Sequence, residues 1–164
     1  MAENADSGKW VALLKAVAAS DAEAIVIGGA ALALHGIPRT TVDVDFIVPA
    51  NGRSVPALFQ LLFDQLGLTS QQLSMRDIGD PALLAGQVLT AGERGGPDMA
   101  DVFFVTEREF NSIYETSVQV PVGDAVVDVA GIAELRRMKK EAGRPIDLAD
   151  LALLDELENF QNGT

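Results

Sequence analysis

Two aspartates stand one residue apart in Asp43-Val44-Asp45, thirteen residues after the pair Gly28-Gly29. A strand places positions i and i+2 on one face, so these two carboxylates come close together on the same side. Neighbouring anions repel, and one takes up a proton unless a cation sits between them. Magnesium suits that place, because it takes oxygen ligands from one or two carboxylates and completes its shell with water and phosphate. Two glycines in a row let backbone N–H groups approach a triphosphate with no Cβ in the way. Arg39, in a loop broken by Pro38, carries a guanidinium that can reach phosphate oxygens. An Asp-x-Asp pair by itself is commonly the wet face of an edge strand. The glycines and the arginine beside it give this pair its chemical reading.

The elements that position these residues follow from hydrophobic spacing. Trp10, Leu13, Leu14, Val17 and Ala18 recur at helical intervals and predict an amphipathic helix from about Ser7 to Ser20, with Trp10 and Leu13 in the core. Ala24 to Ile27 reads as a buried strand that meets a turn at the glycines, and Ala30 to Leu34 as a short helix closed by Gly36. Val42 to Val48 reads as a second strand, with Asp43, Asp45 and Ile47 on one face. Leu58, Leu61, Leu62 and Leu66 mark a helix ended near Gly67, and residues 69–81 read mostly as loop. Residues 87–91 and 100–105 form a hairpin through Arg94-Gly95-Gly96-Pro97, followed by a helix over 107–116 and short strands at 118–122 and 125–129. Helices over 132–142 and 145–160 finish the chain, separated at Gly143-Arg144-Pro145. With no internal repeat or linker, residues 1–164 read as a single α+β domain, its core at about 20–130 and its C-terminal helices at about 131–160.

Composition narrows the chemistry. The chain has no cysteine and one histidine, His35, which removes disulfides, thiolate zinc sites and two-histidine metal sites. A formal net charge of −12 counts against a broad nucleic-acid surface. The apolar run from Ala24 to Leu34 falls short of the ~20 residues that span a bilayer. Glu3, Asp6 and Lys15 do not suit a secretory signal, so the expectation is a soluble, cytoplasmic protein with no membrane partner. No Gly-x-Gly-x-x-Gly loop, Walker-type phosphate loop or Gly-x-Ser-x-Gly elbow is present.

The blocks Ile27-Gly28-Gly29-Ala30-Ala31, His35-Gly36, Arg39-Thr40 and Asp43-Val44-Asp45-Phe46 together resemble the signature of the nucleotidyltransferase superfamily with the polymerase-β-like core. Lys139-Lys140-Glu141-Ala142-Gly143-Arg144-Pro145, followed by Asp147 and Asp150, is similar to the helical segment of its small prokaryotic branch, which includes toxin-type members of abortive-infection systems. The resemblance spans Ile25 to about Leu157. It implies a mixed β-sheet flanked by helices, two magnesium ions on paired carboxylates, and a third carboxylate that helps activate an acceptor hydroxyl. Here that third carboxylate is expected at Asp101, with Asp98 and Asp128 as rivals. Gly28, Gly29, Arg39, Thr40, Lys139 and Arg144 are the expected contacts of the triphosphate, although Arg144 also reads as an ion pair with Asp147. His35 reads as a packed, structural imidazole, with contact to phosphate or base as the alternative.

Two functions fit these residues. One is magnesium-dependent transfer of an NMP group from an NTP to an acceptor hydroxyl on RNA, a protein or a small molecule. A large RNA would need a local basic groove, for which Arg136, Arg137, Lys139 and Lys140 are the candidates. The other is a non-catalytic protein of the same fold that binds nucleotide or serves as the partner in a toxin–antitoxin pair.

Overall fold

The computed structural model describes residues 5–162, with side chains from Gly8 onward; Glu3 and the side chain of Asp6 lie outside the described residues. The elements in chain order are α1 (Ala5–Ala19), β1 (Ile25–Ile27), α2 (Gly28–Leu34), β2 (Val44–Pro49), α3 (Ser54–Phe59), β3 (Val88–Gly92), β4 (Asp98–Val105), α4 (Glu107–Glu115), β5 (Val118–Val122), β6 (Ala125–Val129), α5 (Ile132–Ala142) and α6 (Pro145–Asn162). The six strands form one mixed sheet in the order β3-β4-β2-β1-β6-β5. β2 runs parallel to β4 and antiparallel to β1, while β1 is parallel to β6. The result is an α+β fold, a mixed sheet flanked by helices.

Register follows from alternation. Val44, Phe46 and Val48 of β2 are buried, and they pair with Ala100, Val102 and Phe104 of β4, also buried, to build one apolar face. A one-residue slip would turn both strands inside out, which ties the register to burial. Helix ends are set locally. The Thr106 hydroxyl accepts the Glu109 N–H at the start of α4, and Asn51 Oδ1 accepts the N–H groups of Arg53 and Ser54 at the start of α3. Gly143 closes α5 in the left-handed region, φ 63°, and Pro145 opens α6 two residues later.

Several expected boundaries move. The second strand begins at Val44, not Val42; Val42 is exposed, and the Thr41 hydroxyl donates to the Asp43 carbonyl, so Asp43 sits in a turn leading into β2. The helix expected around Leu58 to Leu66 starts as α3 and continues as a π-helical stretch over Gln60–Gln65 before Gly67, whose φ is 66°. Residues 69–81 are less irregular than expected. Leu73–Asp77 forms a 3₁₀ turn, and Thr69 bridges to Gly92 on the edge of β3. Leu13 is in the core, and Trp10 packs on it half-buried.

Candidate metal and nucleotide site

Strand register assembles the site. Ile27 of β1 lies opposite Asp45 of β2, Asp45 opposite Asp101 of β4, and Asp101 opposite Thr90 of β3. These four positions form one row across four adjacent strands, from β1 to the edge strand β3. Asp43, in the turn before β2, joins its end. One carboxylate oxygen from each of Asp43, Asp45 and Asp101 lies within 4.8 Å of the other two. The expected trio therefore converges. Of the two rivals, Asp98 begins β4 outside the trio. Asp128 lies on β6 beside a separate cavity of about 410 Å³ that also meets Val26, Phe46, Phe110 and Tyr114.

Electrostatics fit a cation. Burial, followed by the charges of Asp43 and Asp101, pushes the Asp45 carboxyl up to about 7. Burial and then the Asp101 charge raise Asp43 as well. Among the described residues no lysine or arginine forms an ion pair with any of the three. The charges of Arg39 and Arg144 offset Asp43 and Asp45 only in part. Three hard oxygen donors that repel one another without an ion-pair partner among the described residues match the donor set of a divalent ion such as magnesium. Thr90, which the sequence did not single out, fixes one of them: its hydroxyl donates to Asp101 Oδ1 at 2.6 Å. A threonine on a strand carries no signal of such a role until the pairing of β3 with β4 is known.

The glycines serve the same row. Gly28 has φ 69°, a conformation that side chains rarely adopt, and a Cβ there would collide with the Asp45 carboxylate. A Cβ on Gly29 would run into the Arg39 guanidinium. Bare backbone at these two positions is what lets Asp45 and Arg39 sit against the turn.

The expected triphosphate contacts are held by buried acids. Asp150, 2% exposed, accepts from Arg39 Nε and from Lys139 Nζ, both at 2.7 Å. Lys139 is itself buried, and its ammonium lies 3.7 Å from Asp147. Arg144 donates to Asp147 from Nε at 2.7 Å and from its backbone N–H, and this guanidinium holds the Asp147 carboxyl below the usual range. The ion pair between Arg144 and Asp147 is thus present, while the Arg144 side chain stays 70% exposed. Asp45, Gly28, Lys139, Arg144 and Asp147 line one cavity of about 310 Å³. Thr40 is exposed and meets Arg39 only through its carbonyl, which accepts from Nη1 at 3.5 Å. His35 is structural: its Nε2 is 2.8 Å from the Ala130 carbonyl. Of the four residues considered for a basic groove, Arg136 pairs with Asp155 and Glu158, Arg137 with Glu134 and Glu141, and Lys139 with Asp150, while Lys140 is exposed.

No protein-family model matches the sequence, and no curated protein matches it significantly. A solved structure does: an antigenic nucleotidyltransferase-like protein from Paracoccidioides brasiliensis superposes with a TM-score of 0.55 at 15% identity, covering 92% of this chain and 77% of that one. At that identity the likeness is one of fold. The chain has a nucleotidyltransferase-like fold, with the acidic row on the central strands of its sheet.

Proposed function

We propose that the protein is a magnesium-dependent nucleotidyltransferase that moves an NMP group from an NTP to an acceptor hydroxyl. The observation that supports this most directly is the convergence of Asp43, Asp45 and Asp101 beside Gly28, with no ion pair to a basic side chain among the described residues. These three carboxylates would hold the divalent ion, which when bound supplies positive charge against the triphosphate and acidifies a coordinated hydroxyl. The chain's own groups do the rest. The Gly28-Gly29 turn leaves room for the Asp45 carboxylate and the Arg39 guanidinium, Arg39 and Lys139 share Asp150, and exposed Arg144 lines with Asp45 the cavity that would take the triphosphate. Thr90 orients Asp101 toward its partners.

Labelled NTPs, offered with magnesium or manganese and with cell RNA, protein and small molecules, test the proposal. Label transferred by the native chain and not by Asp43→Ala supports it; magnesium-independent transfer, or no nucleotide binding, overturns it.

A second reading, nucleotide binding without transfer, draws on one specific observation: Arg39 and Lys139 are both already compensated by Asp150. It predicts binding of Mg-NTP with no label leaving the nucleotide. Placement in the abortive-infection toxin branch, with an antitoxin as partner, rests on the two sequence blocks alone. Co-purification with the product of a neighbouring gene tests it.

A further inference from the structure

The acidic row has a second cavity on its other flank. It measures about 450 Å³ and is formed by residues 69–72 against the β3–β4 hairpin, with Thr90, Glu93 and Asp98 among its walls. Thr90 joins the cavity to the row, because its side chain bonds Asp101 while its backbone N–H donates to Gln72 Oε1 at 3.1 Å. Ser70 Oγ also donates to Gln72 Oε1, at 3.1 Å. The Gln72 amide nitrogen makes no hydrogen bond to any described residue, nor does the side chain of Gln71. Donors and acceptors therefore face this space without partners.

The two flanks differ in their cations. The cavity on the β1–β2 side carries Lys139, Arg137 and Arg144 beside the acids Asp45, Glu109, Glu141 and Asp147. The walls on the β3–β4 side contain neither lysine nor arginine, only hydroxyls, amides, glycines and the acids Glu93 and Asp98. Lys9 stands beside Glu93, in an ion pair at 2.8 Å. A polyanion needs clustered cations to offset its phosphates, and this flank offers none in its walls.

We infer that the β3–β4 cavity is the acceptor site, and that the acceptor is a small hydroxylated molecule, neutral or bearing ammonium groups, rather than a nucleic acid. This assignment rests on the proposed transferase reading and names the substrate that reading leaves open. An acceptor seated there presents its hydroxyl to the row from the side opposite the triphosphate. Its oxygen bonds the α-phosphorus, the bond from that phosphorus to the pyrophosphate oxygen breaks, pyrophosphate leaves, and the hydroxyl proton passes to water.

Binding is measured first, without nucleotide or metal, by amide chemical shifts of the labelled protein in EDTA. The probes are glucosamine, myo-inositol and a mixed-sequence RNA oligonucleotide. The expected result is movement of the Gln72, Thr90, Gly92, Gly95 and Gly96 amides with glucosamine and inositol but not with RNA. Gln72→Lys, a change at a half-exposed position, should weaken glucosamine by about tenfold, the effect of one unfavourable charge, with the remaining spectrum unchanged. RNA moving the same amides, or none of the three probes moving them, overturns the assignment. Mg-NTP is titrated separately and read at the Gly28 and Gly29 amides. Failure there overturns the transferase reading whatever the acceptor probes do, whereas Mg-NTP binding with silent β3–β4 amides overturns only the acceptor site. In the transfer assay, label on glucosamine or inositol supports the assignment, and label on RNA alone sinks it.

Discussion

Asp45 and Asp101 face each other across the parallel pairing of β2 and β4, each buried enough that water cannot fully separate their charges. Neither has a basic ion-pair partner among the described residues, so the pair stores repulsion at the centre of the sheet.

That repulsion sets a pH dependence. Asp45 titrates at about 7 in the fold against 3.8 ordinarily, so between those values the folded protein binds the extra proton and stability falls as pH rises. The cost is fully present above pH 7, on the order of 4 kcal/mol before solvent screening reduces it. Urea denaturation in EDTA at pH 5 and pH 8 should show the metal-free protein more stable at pH 5. Asp45→Asn should flatten that difference and raise the midpoint at pH 8. Equal stability of the native chain at both values would contradict this account.

A divalent ion would remove the same cost. Millimolar magnesium or manganese is expected to raise the melting temperature by several degrees at pH 8 and by much less at pH 5, where Asp45 is protonated. Asp43→Ala and Asp101→Ala should each abolish the shift.

Thr90→Val exchanges a hydroxyl for a methyl while keeping the β-branched shape. Loss of the 2.6 Å bond to Asp101 should cost about 1–2 kcal/mol and weaken manganese binding about three- to tenfold. Calorimetry separates the two effects. An unchanged manganese affinity would mean that Asp101 keeps its position without the threonine.

The two ends of the cationic cluster should respond differently to truncation. Asp150→Ala leaves the buried Lys139 ammonium with only Asp147, at 3.7 Å, and frees Arg39, and is expected to destabilise the fold by about 3 kcal/mol. Arg144→Ala removes an exposed partner from Asp147 and should cost no more than about 1 kcal/mol while weakening Mg-NTP. Denaturation curves beside nucleotide titrations check both.

Gly28→Ala is expected to cost about 1–2 kcal/mol, from the positive φ, and to displace the Asp45 carboxylate. Gly29→Ala would push the Arg39 guanidinium off its bond to buried Asp150, so it should cost about 1–3 kcal/mol. Manganese affinity should fall for the first and hold for the second.

The chain by itself determined its elements and most of its chemistry. Alternation in Val44 to Val48 and helical spacing in α1 fix what each segment becomes, because local period and burial decide that together. Gly28-Gly29 and Asp43-Val44-Asp45 were legible because their residue types are costly anywhere but at a tight turn or a charged site. The need for a third carboxylate came only through a family resemblance, and Asp101 stood ahead of Asp98 because Asp98 lies nearer the turn.

Tertiary structure decided the pairings. The crossover that lays β4 beside β2 brings Asp101 to Asp45 across 56 residues of chain, and the hairpin then brings Thr90 to Asp101. Packing of α6 on α5 turned Asp150 inward to meet both Lys139 and Arg39, so residues that read as free phosphate contacts are held by a buried acid. Spacing along a sequence records which groups exist. Which of them share one small, poorly solvated volume depends on strand order and register, and those are fixed only when the whole sheet buries its apolar face.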